Sequence, residues 1–186
     1  MHQLILGSSS PRRKELLSAL GYNFRVMSPD IDETFPESMN PELVPEYVAN
    51  KKYGALLPLL KENEILLCAD TIVVLNNEIL GKPANNDDAV NMILKLSNLW
   101  HSVITGFCIG NRNKSILKSV TSQVKFAAIT EAQADYYVNN FNPLDKAGSY
   151  GIQDWIGMAF IERIEGSYTN IVGLPTQEVF TVLKSF

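Results

Sequence analysis

Arg12 and Arg13 fall in what reads as the first turn of a helix, directly after Ser8-Ser9-Ser10-Pro11. The helix dipole favours anions there and penalises cations, so stability alone would place Asp or Glu at these positions. Serine hydroxyls, unsatisfied backbone N–H groups and two guanidinium groups in one place suit a phosphate. A plain N-cap followed by solvated arginines is the alternative, and Gly7-Ser8-Ser9-Ser10 does not have the spacing of a P-loop. Asp70 is the second signal, because it interrupts the apolar run from Leu66 to Leu75. A carboxylate buried there must sit at a strand end or bulge, or be matched by a cation or metal, with Thr71 beside it to hold it. Lys82 stands between Gly81 and Pro83, two residues that fix backbone shape; taken alone it is a turn lysine. Asp30, Asp32 and Glu33 offer oxygen donors of the kind magnesium or manganese takes, or form a solvated acidic loop. The stretches Asp145 to Gln153 and Gly166 to Asn170 carry amide and aromatic groups suited to gripping a base or sugar, though each would also pass as a loop.

Several other chemistries are poorly served. His2 and His101 give no histidine pair with metal spacing and there is no CxxC, which argues against a zinc site. No Gly-x-Ser-x-Gly occurs and only one histidine is interior, so a serine or cysteine triad has no basis. Trp100 and Trp155 read as core or rim aromatics. Cys68 and Cys108 lie in stretches that read as buried strands, where two small hydrophobes in a reducing compartment are expected rather than a disulfide. With 186 residues, 46% hydrophobic and 19% charged, the chain is expected to fold as one domain spanning 1–186. Sixteen basic residues against 20 acidic ones leave a net charge of −4, opposite in sign to a phosphate-backbone binder, so no nucleic acid polymer is expected as a partner. Met1 to Gly7 has no cationic leader and too short an apolar run for a signal peptide, and no later stretch is long enough to span a membrane. A cytoplasmic protein without a membrane partner is expected.

The elements that must carry these residues follow from periodicity. Leu4 to Leu6 reads as a strand, Ser10 as the N-cap of a helix with Pro11 at its first position, and Gly21 as its end. A strand at Phe24 to Met27 leads into a Pro-punctuated acidic loop over 28–36. A helix runs from Val44 to about Leu60, disturbed near Pro58, and Ile65 to Leu75 reads as a central strand covered on both faces. Asn76-Asn77 turns the chain into Glu78 to Leu80, and a helix follows over Ala89 to Leu96. Two long strands, Trp100 to Gly110 and Ser115 to Ile129, flank a turn at Gly110 to Asn113. Thr130 to Gln133 is a capping box opening a helix to about Asn140. Met158 to Ile164 reads as a strand and Pro175 to Lys184 as a closing helix. Alternating strands and helices argue for an α/β unit with a mixed sheet.

Ser8-Ser9-Ser10-Pro11-Arg12-Arg13-Lys14-Glu15-Leu16-Leu17, Ala69-Asp70-Thr71, Leu80-Gly81-Lys82-Pro83, His101 to Gly106, Asp145 to Gln153 and Val172-Gly173-Leu174-Pro175 resemble, in order, the successive motifs of the Maf family of nucleoside triphosphate pyrophosphatases. The resemblance spans Leu4 to Leu183. It implies a mixed, twisted sheet flanked by helices, related to the inosine triphosphate pyrophosphatases, with two lobes around a central cleft. It also implies hydrolysis between the α- and β-phosphates of a nucleoside triphosphate. On this resemblance Asp70 is the general base; Ser8, Arg12, Arg13, Lys52 and Lys82 contact the triphosphate; Glu33 and Asp70 help hold a divalent cation, magnesium or manganese; and a homodimer is implied. Lys52 completes an Ala-x-x-Lys element read as Ala49-Asn50-Lys51-Lys52, with Lys51 as its neighbour. Ile152-Gln153 is similar to the branch acting on dTTP and UTP, where an amide can offer donor and acceptor to a pyrimidine edge. Asp154 stands where the family usually has Gly, and Asn98 replaces the Gly of a common Leu-Ser-Gly. Two other readings remain open: a nucleotide-binding regulator of septum formation that does not hydrolyse, and a pyrophosphatase preferring modified purine triphosphates. The role implied is cleansing of the nucleotide pool, with a bearing on cell division.

Overall fold

A computed structural model describes residues 3–28 and 30–186; His2 and the loop position Pro29 lie outside the described residues. Among the described residues the strands are β1 (Gln3–Leu6), β2 (Phe24–Val26), β3 (Glu64–Leu75), β4 (Glu78–Leu80), β5 (Trp100–Gly110), β6 (Ser115–Phe126) and β7 (Ile161–Glu165). The helices are α1 (Pro11–Ala19), α2 (Val44–Leu56), α3 (Asn86–Leu96), α4 (Glu131–Phe141), α5 (Trp155–Phe160), α6 (Tyr168–Val172) and α7 (Thr176–Leu183). The strands form one mixed sheet in the order β2-β1-β3-β5-β6-β7, with β4 also on β3. β1 pairs in parallel with β2 and β3, whereas β3–β4 and β6–β7 are antiparallel. No described helix is long and apolar enough to cross a membrane.

The chain divides into two compact units. The first is built from 1–71, 105–120 and 173–186, the second from 72–104 and 121–172. In the first unit, alternation along β1 and β3 sends side chains to two different cores. Leu4, Leu6, Ile65, Leu67 and Ala69 join Phe107, Ile109, Leu17 of α1 and Val179, Val182 and Leu183 of α7. Ile5, Leu66 and Cys68 face the other way, against Tyr53 and Leu56 of α2. β3 is thus apolar on both faces because both are covered, as the unbroken run predicts. The second unit has its own core, in which Ile93 and Leu96 of α3, Tyr137 and Val138 of α4, Phe126, Tyr150 and Ile156 are buried.

Local signals match where the capping chemistry is explicit. The Ser10 hydroxyl accepts from the Arg13 backbone N–H at 3.5 Å, and Gly21 takes φ +82° just past α1. Asn76 and Asn77 both have positive φ, as a tight hairpin turn requires. Two expectations fail. Met158 to Phe160 is the last turn of α5 rather than strand, because Asp154 occupies an N-cap position and the Met158 N–H donates to its carbonyl. Trp155 then packs edge-on against Tyr136 and Phe160, contacts that a helical turn provides. Likewise Tyr168–Val172, which begins within the Gly166 to Asn170 stretch that would pass as a loop, is a short helix.

Candidate active site

β3 sorts the catalytic candidates by parity. Even positions face α2 and odd ones face α1 and α7, so the adjacent Asp70 and Thr71 point to opposite sides of the sheet. The expectation that Thr71 holds Asp70 is therefore corrected. Asp70 lies within β3, not at its end, and its partner is a cation: Lys52 Nζ donates to Asp70 Oδ1 at 2.8 Å. The same ammonium meets Glu33 Oε1 at 3.0 Å. Lys52 is buried, with its side chain 7% exposed, against 15% for Asp70 and 49% for Glu33. Lys51 instead reaches outward to the Thr34 carbonyl at 3.2 Å, so it is Lys52 that meets Asp70. Removing one partner of so sheltered a pair costs on the order of 3–5 kcal/mol, since the other charge is left uncompensated.

The position of Lys52 depends on a close approach. The first turn of α2 crosses β5 at Gly106, where a Cβ would collide with the Pro45 carbonyl carbon and the Glu46 backbone nitrogen. Lys52 lies about two turns further along this helix. The acidic loop is drawn to the same place: Asp32 accepts from the Thr34 N–H at 3.0 Å and its hydroxyl at 2.6 Å. These bonds hold the Asp32 carboxyl below its ordinary pKa, one residue before Glu33. Asp30 stands outside this contact pair.

On the other face, Arg13 is buried and extensively bonded. Nε donates to the Gly173 carbonyl at 2.8 Å, Nη1 to Ser8 Oγ at 3.3 Å and Nη2 to Thr71 Oγ1 at 3.0 Å. Thr71 Oγ1 lies 2.9 Å from Thr105 Oγ1 and donates weakly to the Gly173 carbonyl at 3.4 Å. Burial lowers the Arg13 pKa; the Asp70 carboxylate opposes that effect and Arg12 adds to it. A guanidinium nevertheless stays charged in proteins. Arg12 is half-buried at the start of α1, whose first turn itself holds no acidic residue. Thr71, Thr105 and Gly173 are the residues sequence reasoning gave no role at this arginine. Their signal was present only as motif membership, because hydrogen bonds across 58 and 160 positions of chain leave no periodicity.

Lys82 and Gln153 belong to the second unit, and both are exposed. The Gly81 carbonyl accepts from the Gly148 N–H at 3.0 Å, so the Gly-Lys-Pro turn is tied to the Gly-rich stretch that leads to Gln153. Gly148 has φ +66°, and a Cβ there would press on Val73. Tyr150 and His101 share a buried hydrogen bond of 2.7 Å between the phenol oxygen and Nε2. Cys68 and Cys108 are buried free thiols, each pushed up to about 12 by burial, and so are unreactive core residues as expected.

Along almost its whole length the chain is similar to known proteins. The family model described as Maf-like protein matches residues 3–186. A dTTP/UTP pyrophosphatase of Phocaeicola vulgatus is 45% identical over 98% of this chain and 95% of its own length. One of Porphyromonas gingivalis is 43% identical over 100% and 94%, and one of Flavobacterium psychrophilum 45% identical over 97% and 93%. The fold is similar to that of a HAM1 protein from Coxiella burnetii, with a TM-score of 0.53 at 14% identity over 100% of both chains. It is also similar to a nucleoside-triphosphatase / dITP/XTP pyrophosphatase from Mycobacterium abscessus, with a TM-score of 0.50 at 11% identity over 98% and 97%. Motif order and a match across nearly the whole length lead to one conclusion: the chain belongs to the Maf family.

Proposed function

We infer that the chain is a nucleoside triphosphate pyrophosphatase that hydrolyses dTTP and UTP to the monophosphate and pyrophosphate. The observation that carries this reading is the buried Lys52 ammonium gripping both Asp70 and Glu33, because it accounts for a carboxylate inside a covered strand. In the proposed reaction Asp70 takes a proton from water as the water oxygen bonds to the α-phosphorus. The bond from that phosphorus to the oxygen bridging to the β-phosphorus breaks, and pyrophosphate leaves. Ser8, Arg12 and Arg13 are assigned to phosphate oxygens, with Lys52 and Lys82 adding cations; charge meeting charge in this way commonly provides most of the rate in phosphoryl chemistry. Gln153 is assigned to the base.

Asp70 and Glu33 are the residues that would hold a divalent cation. Their oxygens already converge on one positive charge, and no group of three or more metal-binding side chains occurs among the described residues. Two carboxylates completed by phosphate oxygens and water suit magnesium or manganese rather than zinc. Bound there, the ion would neutralise phosphate charge. We further assign the chain as one functional domain, a homodimer, acting in the cytoplasm to cleanse the nucleotide pool. Its partner is the nucleotide rather than a nucleic acid polymer, in keeping with the net charge of −4.

Pyrophosphate release from dTTP, UTP, CTP and methylated GTP, with and without magnesium or manganese, tests the reading. Release from dTTP and UTP in preference is expected, and Asp70→Asn should lower it at least a hundredfold while nucleotide still binds. No release from any triphosphate would favour a nucleotide-sensing protein. Equal rates on dTTP and methylated GTP would remove Gln153 from base recognition.

A further inference from the structure

The buried Ser8 hydroxyl oxygen receives two hydrogen bonds, from the Ser10 backbone N–H at 3.2 Å and from Arg13 Nη1 at 3.3 Å. A backbone amide and a guanidinium can only donate, so the polarity of both bonds is fixed. A hydroxyl has two lone pairs and one proton. With both lone pairs engaged, what Ser8 has left to offer is its O–H. An anionic oxygen can take that proton, whereas a metal ion would need one of the occupied lone pairs. Arg13 keeps this geometry only while it is itself held. Its Nη2 donates to Thr71 Oγ1 at 3.0 Å and its Nε to the Gly173 carbonyl at 2.8 Å. A guanidinium is planar, so fixing Nε and Nη2 also fixes where Nη1 points. Thr71 Oγ1 in turn lies 2.9 Å from the hydroxyl oxygen of Thr105, which is fully buried. Thr71, Thr105 and Gly173 each end or begin one of the three segments of the first unit, 1–71, 105–120 and 173–186, so all three segments close on one guanidinium.

We propose that Thr71, backed by Thr105, is a positioning residue that acts through Arg13. It sets the plane of the guanidinium so that Nη1 occupies a lone pair of Ser8 and leaves that hydroxyl as a donor to a phosphate oxygen of the triphosphate. Without the Thr71 hydroxyl the guanidinium loses one of the two contacts that fix its plane. Ser8 then regains an open lone pair, and its proton is no longer reserved for the substrate. Thr71 thus serves the phosphates from the face of β3 opposite to Asp70. The proposal rests on the assignment of Ser8 to a phosphate oxygen.

The test is a double-mutant cycle on UTP turnover in the whole protein. kcat and KM are measured for Thr71→Val, Thr71→Ser, Ser8→Ala and the pair Ser8→Ala/Thr71→Val, with a thermal melt of each. Thr71→Val keeps the shape and removes the hydroxyl; it is expected to lower kcat/KM about tenfold, the size of a lost hydrogen bond to a charged group, and Thr71→Ser to restore it. Ser8→Ala is expected to cost a similar factor and the pair no more than Ser8→Ala alone, because the two residues act in series. Losses that multiply in the pair, or Thr71→Val without loss, would overturn the proposal and leave Ser8 on the phosphate. Full activity in Ser8→Ala would overturn the phosphate assignment and the positioning role with it, whereas no pyrophosphate release from the unaltered protein would overturn the functional reading itself. If Thr71→Val does not fold, Thr105→Val takes its place in the same cycle.

Discussion

Arg13 has three of its five donors committed to groups from three distant parts of the chain, Ser8, Thr71 and Gly173. A lysine carries one compact charge and cannot span the three acceptors. Arg13→Lys is expected to lower stability by about 1–3 kcal/mol, the cost of leaving buried acceptors unsatisfied, and to lower kcat/KM more than tenfold. Thermal melting and pyrophosphate release measure the two effects. If the variant loses neither, the fork geometry has no function and the charge alone suffices. At this scale the sequence was informative about identity and silent about direction. Arg12 and Arg13 stood out against the helix dipole and Asp70 against its apolar run, but the choice of Lys52 over Lys51 and the separation of Thr71 from Asp70 depend on which way each side chain faces.

Helix α2 carries Lys52 to the sheet, and two of its neighbouring glycines have opposite meanings. Gly106 lies under the first turn of α2 with no space for a Cβ, whereas Gly54, on the exposed side of the helix, has nothing within 4 Å of where a Cβ would stand. Gly106→Ala must displace the start of α2 and should reduce activity by at least tenfold, with a fall in melting temperature. Gly54→Ala should leave activity intact and stabilise by about 0.5–1 kcal/mol through the lower entropy of the unfolded chain. Parallel melts and rate measurements on the two variants separate these outcomes. The elements themselves were largely legible, since Ser10 with Pro11, Asn76-Asn77 and the capping box at Thr130 each impose one local geometry. α5 was not, because Trp155 to Phe160 is apolar without helical periodicity and its start is set by the turn that Tyr137 anchors from α4.

At the scale of the molecule, His101 makes stability depend on pH. It is 2% exposed, its Nδ1 has no hydrogen-bond partner, and burial lowers its pKa from 6.5 to about 3. Between those values the unfolded chain binds a proton that the folded chain refuses, so stability is lost as pH falls through that window. The expected loss from this residue is about 2 kcal/mol between pH 8 and pH 5. Denaturant unfolding at the two pH values should show it, and His101→Gln should flatten the dependence; an equal slope in the variant would assign the acid sensitivity elsewhere.

The interleaving of the two units also has a consequence for how the protein is made. Translation delivers the chain from its N-terminus, and the second unit is complete once residue 172 has emerged. The first unit begins earlier yet finishes last, because Leu174, Val179, Val182 and Leu183 fill the core against Leu6 and Leu17. Gly173, whose carbonyl fixes Arg13, arrives in that same segment, after the second unit. A nascent chain therefore carries Asp70, Lys52 and both arginines long before it can set them, and competence for chemistry waits on the segment 173–186.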